Sequence, residues 1–381
     1  MRASCQRPAS GDPARDERAA AGGTLTTALR WAEIDLDAVR ANTATILAHV
    51  PKGTKLFAVV KANGYGHGAQ HVARAALNAG SWGLAVATLE EAAELTALLK
   101  PERILVMGGL TPRQANAAAA SGCSIGVSSL DFAKALGNRD EVVPVHLKID
   151  TGMGRFGCRP DEAAAIAQFI DGAPSLRLAG TWTHFASADS DEALTRKQFD
   201  RFSAALETFE VDPGLRHTCN SAGARRFPGF ALDAVRTGIA LYGCEWPGTK
   251  PALALRSVVT HLKTVVPGDT VGYGATWRAT ARRPVATVAI GYADGVHRAR
   301  SNRGHVLIRG HRAPVIGTVS MDAITVDASN VPGIQLGDTV TVIGEDQADH
   351  IKAEQVAEWS GSISWEVLTS IGPRVERRYS E

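Results

Sequence analysis

The chain lacks the marks of several large protein classes. Its five cysteines (Cys5, Cys123, Cys158, Cys219 and Cys244) are odd in number, widely spaced and form no Cys-x-x-Cys pair. That argues against a disulfide framework or a zinc site and fits a reducing compartment. No apolar run approaches the roughly 20 residues that span a bilayer. Lysine plus arginine number 41 against 39 acidic residues, and no basic run is interleaved with aromatics, so nucleic-acid binding has no footprint. No glycine-rich dinucleotide loop occurs early in the chain. Met1 to about Gly23 mixes Arg, Asp, Glu, Pro and Gly without an apolar centre; it reads as neither a signal peptide nor a folded element. The expectation is a disordered extension over residues 1–30 of a cytoplasmic, metal-free protein.

What is present implies two domains, since 381 residues exceed the size at which one core stops growing. Between residues 55 and 243, short apolar runs alternate with amphipathic stretches. The runs are Leu56–Val60, Trp82–Ala87, Arg103–Met107, Ser124–Val127, Val145–Ile149, Leu178–Thr183, His217–Asn220 and Ala234–Tyr242. Several are apolar on both faces, as strands covered on both sides must be. Segments such as Gln70–Ala79, Leu89–Leu99, Asp161–Ile170 and Leu194–Phe209 carry apolar residues three and four apart, the helical period. Eight such alternations predict an α/β fold with an N-terminal (β/α)8 TIM-type barrel, placed over residues 31–250. Beyond Pro251, short β-rich runs broken by turns such as Pro267-Gly268-Asp269 predict a mainly antiparallel β domain over residues 251–381.

On this scheme Lys61, Met107, Lys148, Asp150, His184, Ser221 and Arg236 fall at or just after strand ends, the face on which such barrels build active sites. Lys61 is the most informative. It follows the apolar run Leu56–Val60 and precedes Ala62-Asn63-Gly64-Tyr65-Gly66-His67-Gly68. A lysine at a buried strand end is desolvated and becomes a competent amine nucleophile. The glycines let backbone approach a ligand, and Tyr65 offers a hydroxyl to the same space. This suits a Schiff base with an aldehyde cofactor, pyridoxal phosphate being the obvious one.

The decapeptide Val59–Gly68 resembles the pyridoxal-phosphate signature of alanine racemases. His146-Leu147-Lys148-Ile149-Asp150-Thr151-Gly152-Met153-Gly154-Arg155, Thr183-His184-Phe185-Ala186, Asn220-Ser221-Ala222, Val235–Gly243, Gly272-Tyr273-Gly274-Ala275-Thr276, Gly291-Tyr292-Ala293-Asp294-Gly295 and Ser320-Met321-Asp322 follow in that family's order. The resemblance runs from about Trp31 to about Arg377. It implies a homodimeric alanine racemase that supplies D-alanine for peptidoglycan, with Lys61 as cofactor tether and one proton-transfer base. Tyr273 of the partner subunit is implied as the other base, with His184 in the network that tunes the pair. Arg236 is implied opposite the cofactor ring nitrogen, and Ser221, Gly238, Ile239 and Tyr65 at its phosphate, with Met107 also at the cofactor. Arg155 and Met321 are implied at the substrate carboxylate. Lys148 is carbamylated in several members of the family, and a chloride or a water could serve there instead. Asn220-Ser221-Ala222-Gly223 is equally compatible with a plain helix cap. One departure stands out: Trp365 occupies a position where the family pattern has a tyrosine that binds the cofactor phosphate.

Other readings are a serine or broad-specificity racemase of the same family, a decarboxylase of the same architecture, or a non-catalytic pyridoxal-phosphate carrier. The decarboxylase would need a cysteine in the β domain, and none follows Cys244. The carrier would have no use for a second domain of this size.

Overall fold

In the computed structural model, residues 28–138 and 141–381 are described. The expected extension over residues 1–30 therefore lies almost wholly outside the described residues. The first strand, β1 (Arg30–Asp35), ends in Asp35, whose carboxylate accepts the Ala38 N–H at 2.9 Å and starts helix α1 (Leu36–His49). This is an N-cap of the usual kind.

Eight parallel strands then close a barrel: β2 (Lys55–Val59), β3 (Gly83–Val86), β4 (Ile104–Val106), β5 (Ser124–Val127), β6 (Val143–Lys148), β7 (Leu176–Trp182), β8 (Leu215–His217) and β9 (Ala234–Thr237). β9 returns to pair with β2, with Phe57 opposite Arg236. β3, β4, β5, β6 and β9 are buried throughout, because side chains fill the interior while helices cover the outside.

The second unit is a nine-stranded sheet entered through β10 (Leu253–Val265). β1 does not join the barrel, although the sequence reading placed residue 31 onward there. It pairs antiparallel with β10, Ile34 opposite Leu253, and parallel with the last strand, Glu376–Ser380, Ile34 opposite Tyr379. The first and last strands of the described residues thus lie side by side in one sheet, and α1 crosses from it to the barrel. Asn42 on α1 fastens that crossing: its amide donates to the carbonyls of Leu241 and Lys250, and its oxygen accepts the Lys250 N–H. No helix among the described residues is long and apolar enough to cross a membrane.

Candidate active site

The C-terminal mouth of the barrel opens where β2 gives way to Lys61. Here the chain makes an uncommon turn. Ala62, Asn63, Gly64 and Tyr65 all have positive φ, 51°, 52°, 60° and 51°, forming one turn of left-handed helix. L-residues resist this conformation by about 1–2 kcal/mol each, so neighbours must hold it. Glu91 accepts the Ala62 N–H at 2.7 Å, and Asn63 Oδ1 accepts the Ala69 N–H at 3.0 Å. A Cβ on Gly66 would collide with the Leu368 carbonyl, so the C-terminal helix Ser364–Thr369 packs directly behind the turn. The turn thereby aims Lys61 into the mouth and buries Tyr65 against Tyr242, the rings stacked 4.8 Å apart.

Lys61 is half-buried; its pKa is lowered by desolvation and then by Arg155, against an opposing pull from Glu91. Lys148, last in β6, is 2% exposed and its pKa is brought down to about 7 by burial and then by Arg155 and Arg236. Its ammonium faces two rings, Trp182 at 4.7 Å and Phe156 at 5.3 Å, with no ion pair among the described residues. Arg155 lies exposed on the loop after Asp150, whose carboxylate is taken up by the N–H groups of Gly152, Met153 and Gly154.

Arg236 on β9 is 2% exposed and is held almost entirely by neutral acceptors. One terminal nitrogen donates to His217 Nδ1 at 2.8 Å and to the His217 carbonyl at 3.0 Å. The other donates to the carbonyls of Thr183 and Thr218, and reaches His184 Nδ1 at 3.3 Å. A guanidinium only donates, which assigns both imidazole protons to Nε2. His217 Nε2 then donates to His146 Nδ1 at 2.9 Å. Burial, and then Arg236, keeps His184 and His217 well below the ordinary histidine range, so both remain neutral. One donor is left over: Arg236 Nε is buried and has no acceptor.

Ser221 opens the helix Ser221–Arg226, but Asn220 is its cap, accepting the Gly223 N–H at 2.9 Å. Ser221 Oγ instead accepts the Gly238 N–H at 3.1 Å. Gly238 is required here because a Cβ would strike the Tyr65 hydroxyl. Ser221, Tyr65, Gly238 and Ile239 therefore converge on one corner of the mouth. Met107 follows β4 directly and is half-buried. Trp365 reaches the region through the helix behind the left-handed turn and is partly buried against the core.

Tyr273 and Met321 behave differently. Tyr273 is 72% exposed on a turn secured by Thr318, whose hydroxyl donates to the Tyr273 carbonyl at 2.8 Å. Met321 is also exposed; its carbonyl accepts the Ala293 N–H. Both stand on connections of the β sheet and not on the barrel strands.

The mouth therefore collects Lys61, Lys148, Arg155 and Arg236. Its nearest carboxylates, Glu91 and Asp150, are engaged by backbone. Such a site calls for anionic occupants. A cavity of about 760 Å³ at the seam of barrel and sheet, lined by Glu33, Cys244, Arg256 and Glu354, contains none of these strand-end groups.

A family model described as the alanine racemase N-terminal domain matches residues 34–245, and one described as the alanine racemase C-terminal domain matches residues 252–379. The chain belongs to the alanine racemase family. The alanine racemase of Desulforamulus reducens is 40% identical over 367 residues, covering 92% of this chain and 98% of the relative. That of Listeria monocytogenes serotype 4a is 40% identical over 362 residues, with 92% and 97% covered. A crystal structure of alanine racemase from Bacillus anthracis with bound L-Ala-P has a TM-score of 0.85 at 38% identity, covering 93% of this chain and 95% of that one. One from Bartonella henselae with covalently bound pyridoxal phosphate has a TM-score of 0.83 at 32% identity, covering 93% and 100%. The chain is accordingly an isomerase that interconverts L- and D-alanine, in a family whose general role is to supply D-alanine for peptidoglycan.

Sequence reasoning passed over three residues that shape this mouth. His217 was legible only as part of a strand, Glu91 only as part of the amphipathic stretch Leu89–Leu99, and Trp182 only as part of the run Leu178–Thr183. What gave no signal was that β7, β8 and β9 stack Trp182, His217 and Arg236 together: the first two rings are 2° from parallel, and Arg236 lies 4.6 Å from the Trp182 ring centre.

Proposed function

We propose that the chain racemises alanine with pyridoxal phosphate seated at the barrel mouth, as a homodimer in which each site takes Tyr273 and Met321 from the partner subunit. The observation that carries this reading is the spare donor on Arg236, a buried Nε–H without acceptor at the mouth that also holds Lys61 with its lowered pKa. A pyridine nitrogen is an acceptor of the right kind for that donor. The corner made by Ser221, Tyr65, Gly238 and Ile239 suits the phosphate, and Met107 and Trp365 are assigned to the cofactor as well.

When bound, the cofactor supplies the electron sink that makes the alanine α-proton removable. The protein supplies the rest. Neutral His184 and His217 fix Arg236 without cancelling its charge, so its free Nε–H would donate to the ring nitrogen of a bound cofactor and disfavour a proton there. Lys61 moves a proton at one face of the α-carbon, and its lowered pKa, caused first by burial, favours the unprotonated amine that a base must be. Tyr273 of the partner subunit serves the opposite face, which accounts for its exposure within a single chain. Arg155, with the Met321 backbone of the partner subunit, receives the substrate carboxylate, for which a guanidinium fork is suited. Lys148, brought down to about 7, is largely unprotonated at mildly alkaline pH. Its free amine can add carbon dioxide and release a proton, giving an anion between it and Arg155. The four described cysteines are buried and unpaired, which fits a reducing cytoplasm.

The test is spectroscopic and kinetic. Purified protein should show a visible cofactor band that borohydride abolishes, and should interconvert L- and D-alanine by circular dichroism. Lys61→Ala should lose both the band and turnover; a variant that keeps the band would place the tether elsewhere. Intact mass at mildly alkaline pH should show one added carbon dioxide, absent in Lys148→Ala.

A further inference from the structure

Arg300 has no part in the chemistry above, yet its surroundings are among the most unusual in the chain. It closes the short turn Arg298–Arg300 and is fully enclosed, 0% exposed. One terminal nitrogen donates to the His305 carbonyl at 2.8 Å. Its Nε and other terminal nitrogen have no acceptor, and the neighbouring His305 Nδ1 is buried without a partner too. Burial alone accounts for the lowering of its pKa to about 10, with no carboxylate among the described residues to oppose it. The Trp359 ring lies 5.3 Å from the guanidinium carbon; a ring face attracts the charge but leaves these in-plane N–H groups without acceptors.

A guanidinium keeps its proton at accessible pH, and an enclosed cation without a counter-charge is strongly disfavoured. Among the described residues no carboxylate is paired with Arg300, and Asp349, which acts on His305, is paired with Arg312; a partner subunit cannot reach a side chain with no exposed surface. Gly304 packs tightly on the same ring, where a Cβ would run into Trp359. We propose that Arg300 forms a buried site for a small monovalent anion of chloride size, with donors from the free guanidinium N–H groups and from His305 Nδ1 in its protonated tautomer.

The position gives such an ion a consequence. Ser301 Oγ accepts the Val319 N–H at 3.0 Å, and Asn302 accepts the Gly317 N–H at 2.6 Å. The Asn302 amide also donates to Thr276 Oγ1 at 3.0 Å. These contacts brace the loops that hold the Tyr273 turn, and the filled site stiffens their base. Anion binding itself is independent of the racemase reading; only the effect on Tyr273 rests on it.

The holoenzyme is melted in potassium chloride and in potassium gluconate at equal ionic strength. Chloride should raise the melting temperature by a saturable increment, as a ligand that binds only the folded state does. Arg300→Leu and Arg300→Met should lose that increment. Crystals of the unaltered protein grown in bromide should show an anomalous peak against Arg300. Identical melting in the two salts, or water alone at Arg300, overturns the proposal. A bromide peak without a melting difference would be an adventitious ion only and overturns it equally. Should both variants fail to fold, the two measurements on unaltered protein still decide. Loss of racemisation with the chloride increment intact would count against the functional reading and not against the site.

Discussion

The arginine that faces the proposed ring nitrogen is held by two histidines and three carbonyls, and by no carboxylate. That choice of partners leaves its full charge for the ligand. The price is a cluster of buried cations, felt most at Lys148. The lysine's pKa falls from 10.5 to about 7 on folding. Between those values the unfolded chain binds more protons than the folded one, so this residue makes stability rise with pH across that window and penalises it below. In carbon-dioxide-free buffer, Lys148→Met should therefore stabilise the protein by about 1–3 kcal/mol at pH 7 and below. The gain should shrink toward pH 10, as measured by urea unfolding at several pH values. A gain independent of pH would mean that Lys148 is not buried as a strained cation. The sequence made this residue legible as a strand-end lysine near Arg155. It did not show the Trp182 and Phe156 faces that receive it, because those contacts come from separate elements.

At the scale of elements, the strand ends were readable because two-sided apolar runs declare a parallel barrel. The left-handed turn was not. Ala62, Asn63 and Tyr65 have no intrinsic bias strong enough to announce four successive positive φ values, and the turn exists because Glu91, Asn63 and the helix Ser364–Thr369 hold it. Gly66, at φ 82°, is the contact point with that helix. Gly66→Ala should cost about 2–3 kcal/mol, combining a disfavoured conformation with a backbone collision. Weakened cofactor retention should accompany it, measured by dialysis and absorbance. A fully stable, fully loaded Gly66→Ala protein would show that the helix does not pin the turn. The same helix carries Trp365, whose indole N–H can donate to a phosphate but cannot accept. Trp365→Phe should weaken pyridoxal-phosphate affinity several-fold, about 1–3 kcal/mol at most. Trp365→Tyr should restore it. Unchanged affinity in the phenylalanine variant would assign Trp365 to packing alone.

For the whole molecule, the sequence suggested a barrel followed by a sheet, but not that β1 would leave the barrel to sit between β10 and the final strand. Pairings across more than 200 residues leave no local trace. Of the two proposed bases, Lys61 lies among the cations of the mouth, while Tyr273 is 72% exposed in the β domain. On the proposed reading a single subunit is half a catalyst, and a two-fold dimer would complete two sites by exchange. Tyr273→Phe alone should lower kcat by about 10²–10⁴, the usual contribution of one acid–base group, while retaining cofactor. Lys61→Ala and Tyr273→Phe homodimers should both be nearly inactive. Mixed dimers purified with two affinity tags should recover about half the native activity, because exchange leaves one site with both bases and the other with neither. If Tyr273 served its own chain, each site of the mixed dimer would lack one base and no activity would return. The two arrangements thus differ by an all-or-none signal, which neither a small change in folding nor a small change in affinity could imitate.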